Sequence, residues 1–153
     1  MRVRPATVED ALAVETVRVA TWQAAYRGLL PDALLDGLVV DADRRAAAIA
    51  EGTSTTLLAV DVDGPVGMAA CGPSRDDDLD GLELYALYVL PRAWQEGVGT
   101  ALLAACGAVR SLWVLEGNAR GRAFYARHGF VPDGAVKVLE LGGPVREVRL
   151  LLG

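Results

Sequence analysis

One stretch of the chain constrains its fold more than any other: an apolar run, a proline and then a glycine-rich turn. Residues 82–90 form the apolar run, and Pro91 ends it. Gly97 and Gly99 follow and open a second apolar stretch with helical character from about residue 101 to 108. A buried central strand is expected from the first run. The turn brings backbone N–H groups and the positive end of a helix to one point, which favours binding of an anion such as a pyrophosphate.

Two well-known phosphate-binding motifs do not fit this turn. The Rossmann fingerprint requires a third glycine and an acidic residue about 20 positions further on. A P-loop requires Gly-Lys-Ser or Gly-Lys-Thr, and neither follows Gly99. Because two glycines before a helix are a weak signal, a purely structural turn is the alternative.

The remaining patterns predict an α+β fold in one domain that spans residues 1–153, a usual domain length. The sheet is expected to be mixed and mostly antiparallel, with helices on both faces. A capping box at Thr7 introduces the first helix, which is expected to bury Leu12, Val14 and Val17 among others. The predicted strands are 3–6, 55–62, 65–71, 82–90, 111–115 and those within 130–152, and the predicted helices are 7–26, 31–38, 42–51, 101–108 and 119–128.

Charge and composition exclude several classes of function. The net charge of −5 opposes binding to nucleic acid or to an anionic membrane and suits a cationic acceptor. No apolar run approaches the roughly 20 residues of a membrane span, and residues 1–5 do not resemble a signal peptide, so a cytoplasmic protein is expected. Cys71 and Cys106 lie far apart without a metal-ligand spacing, so neither a disulfide nor a metal site is predicted.

Two segments resemble known motifs of one family. Residues 88–103, Tyr-Val-Leu-Pro-Arg-Ala-Trp-Gln-Glu-Gly-Val-Gly-Thr-Ala-Leu-Leu, resemble the acyl-CoA-binding motif of the GNAT superfamily of N-acetyltransferases. Residues 115–130 resemble its Asn-x-x-Ala-x-x-Phe-Tyr-x-x-x-Gly-Phe region, and residues 3–7 and 22–31 are similar to bacterial members. The resemblance implies one GNAT-like domain that uses acetyl-CoA as acyl donor.

The resemblance also implies which residues hold the donor. The turn would bind the pyrophosphate, and backbone groups of the central strand would pair with the pantetheine arm as an added strand does. Asn118 would reach the same arm, with a plain helix N-cap as the alternative. Trp94 departs from the motif, since it stands where the family has Arg or Gln. The implied donor-binding residues are Leu87, Tyr88, Val89, Gln95, Glu96, Gly97, Val98, Gly99, Thr100 and Asn118.

Two residues are candidates for the chemistry. An alkyl amine has a pKa near 10, so it must lose a proton before it attacks a thioester. Glu83, the one acid inside the apolar strand, lies in register with the base of histone-acetylating members, whereas a solvent-facing glutamate is the alternative. Tyr125 stands at the position of the family's general acid, which protonates the leaving thiolate, and a packed core tyrosine is the alternative.

The acceptor pocket is less clearly indicated. Trp22, Tyr26 and Leu30 are expected on the acceptor side by resemblance, or else in the core, and Tyr85 shares a strand face with Glu83. His128 is expected to end a helix rather than to catalyse. The acidic loop at 76–80 is expected either to attract a cationic acceptor or simply to be solvated.

Together these features predict an N-acetyltransferase that acts by direct attack of a primary amine, carried by a small molecule or a peptide. A non-catalytic acyl-CoA-binding or sensing domain is the first alternative, and an interaction module with a structural glycine turn is the second. The sequence is also compatible with a homodimer.

Overall fold

Seven strands form a single sheet in the order β1-β2-β3-β4-β5-β7-β6 in the computed structural model, which describes residues 1–153. Only the β4–β5 pair is parallel, so the sheet is mixed and mostly antiparallel, as predicted. The strands are β1 (Arg2–Pro5), β2 (Thr55–Asp61), β3 (Gly64–Pro73), β4 (Leu82–Val89), β5 (Val109–Leu115), β6 (Phe130–Glu140) and β7 (Pro144–Leu152).

Five α-helices connect these strands. They are α1 (Ala11–Ala25), α2 (Asp32–Asp36), α3 (Ala42–Glu51), α4 (Val98–Cys106) and α5 (Ala119–Arg127). The predicted capping box is present ahead of α1, where the Thr7 amide donates to the Asp10 carboxylate at 2.8 Å. No helix is long and apolar enough to cross a bilayer.

Helices cover both faces of the sheet and divide the core into layers. On one face, Val14 and Val17 of α1 pack against Leu58 and Met68. On the other face, α4 and α5 contribute a larger cluster. The predicted burial of Leu12 is wrong, because that side chain is 61% exposed on the outer side of α1.

The sheet opens in the middle, between β4 and β5. These strands pair only from Leu82 to Leu84 on β4, although β4 continues to Val89 and β5 to Leu115. A bulge also interrupts β4, where Cys71 of β3 opposes Leu84 and Ala70 opposes Ala86. Tyr85 is therefore the extra residue, and a bulge of this kind bends and twists its strand. The second edge of β4 beyond Leu84 has no strand partner.

The helix after the glycine turn differs from its prediction at both ends. It begins at Val98, three residues earlier than expected, and ends at Cys106 before Gly107. Because Gly97 occupies the N-cap position, the turn itself supplies the first residues of α4. Gly99 therefore lies inside the helix rather than before it.

Candidate functional site

A cavity of about 550 Å³ occupies the opening between β4 and β5. Its walls come from β4, the end of β5, parts of β6 and β7, the end of α1 and the facing sides of α4 and α5. It therefore reaches from the glycine turn at one end to the aromatic end of α1 at the other. The structure brings most of the predicted site residues to this one cavity.

The glycine turn supplies free amides at one end of the cavity. Gly97 has φ of 83°, a left-handed conformation that glycine adopts without strain. The first helical hydrogen bond of α4 runs from the Ala101 amide to the Gly97 carbonyl at 3.0 Å. The amides of Val98, Gly99 and Thr100 consequently have no acceptor within the chain, and they lie at the positive end of the helix. This end suits an anionic group such as a pyrophosphate.

Gly99 also has a packing role. A Cβ atom added there would lie 3.2 Å from the Phe124 ring, so α4 and α5 approach each other closely at this point. Thr100, one residue later, shares a hydrogen bond of 3.1 Å with the His128 ring. His128 caps the C-terminal end of α5, and its other ring nitrogen lies 2.9 Å from the Phe124 carbonyl. The prediction that His128 ends a helix is confirmed, and the residue does not line the cavity.

Trp94 and Arg120 form a pair at the same end. The Trp94 indole N–H donates to the Val89 carbonyl at 2.7 Å, which holds the ring against the end of β4. The Arg120 guanidinium carbon lies 3.8 Å from the centre of that ring, a cation–π contact. Arg120 and Arg127 are the only basic side chains that line the cavity. Arg120 therefore places a positive charge directly beside the residue that departs from the family motif.

Tyr125 lies between the two ends of the cavity. Its ring is buried between Phe124 and Phe130, with ring centroids 5.2 and 6.1 Å away. Burial, together with the neighbouring Tyr88, raises the pKa of Tyr125 well above its usual value. Its hydroxyl therefore keeps its proton through the neutral range, which a general acid requires. Tyr125 is thus a packed tyrosine that also lines the cavity, and its role as the general acid stays a prediction.

The opposite end of the cavity is aromatic. The Trp22 ring makes edge contacts with Tyr26 and Tyr88, at centroid distances of 5.2 and 6.3 Å. Burial raises the pKa of Tyr26 far above its usual value. The Trp22 indole N–H and the Thr21 hydroxyl are buried without a hydrogen-bond partner. This wall therefore holds two polar atoms that nothing in the chain satisfies.

Glu147 of β7 is the only acidic side chain that lines the cavity. It lies opposite Leu115 of β5 and Lys137 of β6 in the sheet register. Its side chain is 18% exposed, and the Lys137 ammonium lies 3.7 Å from it. Desolvation raises the pKa of Glu147, although Lys137 and Arg75 act in the opposite direction.

The structure does not support the prediction of a free Glu83 carboxylate that faces the acceptor. Glu83 is 1% exposed and does not line the cavity. One carboxylate oxygen accepts from the Arg75 amide at 2.9 Å, and the other pairs with the Arg75 guanidinium at 2.7 Å. The same guanidinium lies 4.0 Å from the centre of the Tyr85 ring. Arg75 therefore covers Glu83, and Tyr85 lines the cavity with its hydroxyl donated to the Pro73 carbonyl.

Some of the other predicted site residues line the cavity, and others do not. Leu30 does not line the cavity but is buried in a cluster with Leu35 and Leu115, so the core alternative applies to it. Glu96 also lies outside the lining. Asn118 lines the cavity and caps α5 as well, since its side-chain oxygen accepts from the Gly121 amide at 3.0 Å. The predicted residues that line the cavity are Trp22, Tyr26, Tyr85, Leu87, Tyr88, Val89, Gln95, Gly97, Val98, Gly99, Thr100, Asn118 and Tyr125.

The acidic loop has a structural role. Asp78 accepts two hydrogen bonds from the Arg149 guanidinium at 2.7 and 2.8 Å, and Asp133 of β6 binds the same group. Asp76 accepts from the Trp113 indole at 2.9 Å. Arg149 is only 6% exposed. The loop is thus tied to the sheet rather than simply solvated, and the prediction that it attracts an acceptor receives no support.

Comparison with known proteins agrees with this architecture. The family model described as Acetyltransferase (GNAT) domain matches residues 52–132, more than half of the chain. The chain belongs to the GNAT family. This confirms the resemblance drawn from the motifs at 88–103 and 115–130.

Individual GNAT relatives extend the comparison over the chain. The N-acetyltransferase YuaI of Bacillus subtilis, described as uncharacterized, is 32% identical over 133 residues, which cover 84% of this chain and 66% of that protein. The chain thus spans just under two thirds of the relative's length. The PaiA N-acetyltransferase of Thermoplasma acidophilum, solved with coenzyme A, has a TM-score of 0.74 at 18% identity, with 98% of both chains covered. A ribosomal-protein-alanine N-acetyltransferase of Brucella melitensis has a TM-score of 0.73 at 23% identity, again with 98% of both covered.

The GNAT site of this chain contains residues that the sequence did not indicate. Trp113, Arg120, Arg127 and Glu147 all line the cavity. Arg120 and Arg127 belong to the second motif, but the motif pattern specifies neither. Glu147 lies in the run 145–150, in which apolar and charged residues are mixed as in many ordinary strands. Only the pairing of β7 with β5 brings it to the cavity.

Proposed function

We propose that the protein transfers the acetyl group of acetyl-CoA to a primary amine. The observation that carries the proposal is the opening between β4 and β5, which leaves the edge of β4 beyond Leu84 unpaired and next to the free amides of α4. An extended pantetheine arm would pair with that edge as a strand does, through backbone groups of Leu87, Tyr88 and Val89. Its pyrophosphate would then meet the amides of residues 98–100. Acetyl-CoA is the donor that the GNAT relatives' names and the coenzyme A complex of PaiA support.

The residues of the cavity supply the steps of a direct attack. The amine nitrogen attacks the thioester carbonyl carbon, the C–N bond forms, and the C–S bond breaks. Tyr125 gives its proton to the departing thiolate, and its buried, protonated hydroxyl suits this role. A carboxylate base takes the proton of the attacking amine. Glu83 is not proposed for that step, because Arg75 covers its carboxylate.

Two measurements test the proposal in sequence. Titration of the protein with CoA is expected to show saturable binding, and its absence below millimolar concentration would remove acyl-CoA chemistry altogether. A panel of primary amines incubated with acetyl-CoA is then expected to show acceptor-dependent release of CoA. Tight CoA binding without turnover on any amine would favour the non-catalytic acyl-CoA-binding alternative.

A further inference from the structure

The cavity is electrically polarised along its length. Its basic side chains, Arg120 and Arg127, lie on α5, and Arg120 packs on the Trp94 ring close to the glycine turn. Its one acidic side chain, Glu147, lies on β7 opposite Leu115, the last residue of β5. A phosphorylated donor is therefore attracted to the basic side chains, whereas a cation is attracted to Glu147.

The surroundings of Glu147 suit a protonated amine. Trp22 and Tyr26 line the same cavity and offer ring faces and edges on which an alkyl ammonium or its apolar body can pack, whereas the Trp113 ring already carries the Lys137 ammonium at 4.2 Å from its centre. The partial burial of Glu147 strengthens its attraction for a cation, because water screens the charge less there. Its only ion-pair partner is Lys137, at a loose 3.7 Å. Glu83, by contrast, makes three close contacts with Arg75.

We infer that Glu147 binds the ammonium group of the acceptor and then acts as the general base of the reaction. This inference rests on the proposed acetyl transfer. The ammonium gives one proton to the Glu147 carboxylate, and the neutral nitrogen attacks the acetyl carbonyl carbon. Tyr125 gives its proton to the departing thiolate and takes up the second proton that the nitrogen loses as the amide forms, while Glu147 releases its proton to solvent. Acetylated amine, CoA thiol and one proton released to solvent balance the step.

The charge pattern also defines the class of acceptor. A primary amine without a carboxylate beside its amino group can place its nitrogen at Glu147 without repulsion. An α-amino acid brings a second negative charge to the same point, which disfavours binding. The acceptor class is therefore amines and peptide N-termini rather than free amino acids.

Several charged or titratable groups face Glu147 and determine the pH at which it ionises. They are Lys137 of β6, Arg75 and Glu83 beside β4, Tyr88 of β4 and Tyr26 at the end of α1. Lys137 lowers the pKa of Glu147, whereas burial raises it. Removal of the Lys137 charge is therefore expected to move the acidic limb of the activity profile to higher pH.

The test compares the Glu147→Gln variant with the parent and with Glu140→Gln, a matched change on the exposed end of β6. Phenethylamine is the acceptor, and rates are measured from pH 6 to 10. The parent is expected to turn over phenethylamine at least about tenfold faster, in kcat/KM, than its carboxylated counterpart phenylalanine. Glu147→Gln is expected to lose about 10²- to 10⁴-fold at low pH and to recover as the amine deprotonates unaided. CoA affinity is expected to stay unchanged, and Glu140→Gln is expected to match the parent.

Three outcomes would overturn the inference while the proposed function stands. They are a Glu147→Gln profile parallel to the parent's, equal use of phenylalanine, and an acidic limb that Lys137→Met leaves in place. A parent that binds CoA but acetylates no amine in the panel would remove the proposed function itself, and the role of Glu147 with it. A Glu147→Gln protein that no longer binds CoA would assign the residue to the architecture of the cavity instead.

Discussion

The hydroxyl of Tyr125 can be removed with little change to its surroundings. Its ring packs against Phe124 and Phe130. Tyr125→Phe is therefore expected to fold as the parent does while kcat falls by about 10²- to 10⁴-fold, the usual contribution of a positioned acid.

The pH dependence distinguishes this role from that of the base. Because the raised pKa of Tyr125 keeps the hydroxyl protonated, the loss in Tyr125→Phe is expected to be constant from pH 6 to 10. Steady-state rates on phenethylamine measure it. A variant within about twofold of the parent would mean that the thiolate departs without help from this residue.

At the residue scale, the sequence indicated that Tyr125 belongs to the site but gave no sign that the Glu83 carboxylate is covered. Both residues were proposed from their register in motifs, and Tyr125 lines the cavity because α5 and its motif are intact. Glu83 has the predicted position on β4, but Arg75, eight residues earlier in a loop, folds over its carboxylate. No local pattern indicates that contact, because it depends on the path of the loop after β3.

Helices α4 and α5 together form the end of the cavity that is proposed to bind CoA. Arg120 on α5 lies over Trp94, and Arg122 on the same helix donates instead to the Glu116 carbonyl at 3.1 Å and does not line the cavity. Arg120→Ala is expected to weaken CoA binding by about tenfold, the effect of one favourable phosphate contact. Arg122→Ala is its matched control and is expected to bind CoA as the parent does.

Calorimetric titration with CoA at two salt concentrations measures this difference. Because the contact is partly exposed, the loss is expected to shrink at high salt. Equal CoA affinity in Arg120→Ala and the parent at low salt would show that Arg120 only stacks on Trp94.

At the element scale, the sequence predicted the order of strands and helices well, since alternation, glycines and prolines are local signals. Pro91 ends the run after β4, and Gly97 lies at the start of α4. The bulge at Tyr85 and the early separation of β4 from β5 were not predicted. Both depend on which strands pair and in what register, and a single strand's pattern does not contain that information.

At the scale of the whole molecule, Arg149 joins parts of the chain that are distant in sequence. It binds Asp78 in the loop before β4 and Asp133 on β6, and it is itself nearly buried. The Arg149 guanidinium holds the pKa of each of these carboxyls below its usual value. A carboxyl with a lowered pKa stabilises the fold above its unfolded pKa of about 4, and that contribution disappears as the pH falls.

Arg149→Leu is therefore expected to lower the melting temperature by several degrees at pH 7. It is also expected to show a smaller further decrease than the parent between pH 5 and pH 3, because the lost contribution is the acid-sensitive one. Thermal unfolding followed by circular dichroism measures both. Parallel pH profiles for the two proteins would assign the acid sensitivity to other carboxyls.

At this scale, the sequence indicated the site only where its residues lie close together along the chain, because the pairing of distant strands cannot be inferred from local patterns. The two motifs lie within residues 88–130, so they were visible without a structure. The end of the cavity that is proposed to hold the acceptor combines α1 with β5, β6 and β7, and Glu147 lies 17 residues beyond the second motif. Resemblance therefore indicated the glycine turn and the aromatic residues Trp22 and Tyr26, whereas only the structure shows that Glu147 lines the same cavity.

The central claim is that this protein moves an acetyl group from acetyl-CoA to an amine. The most direct measurement follows CoA thiol and acetylated phenethylamine in the same reaction, by a thiol reagent and by mass spectrometry. We expect equal amounts of the two products throughout and no thiol release without the amine. Thiol release that does not depend on the amine, or that leaves the amine unmodified, would contradict it.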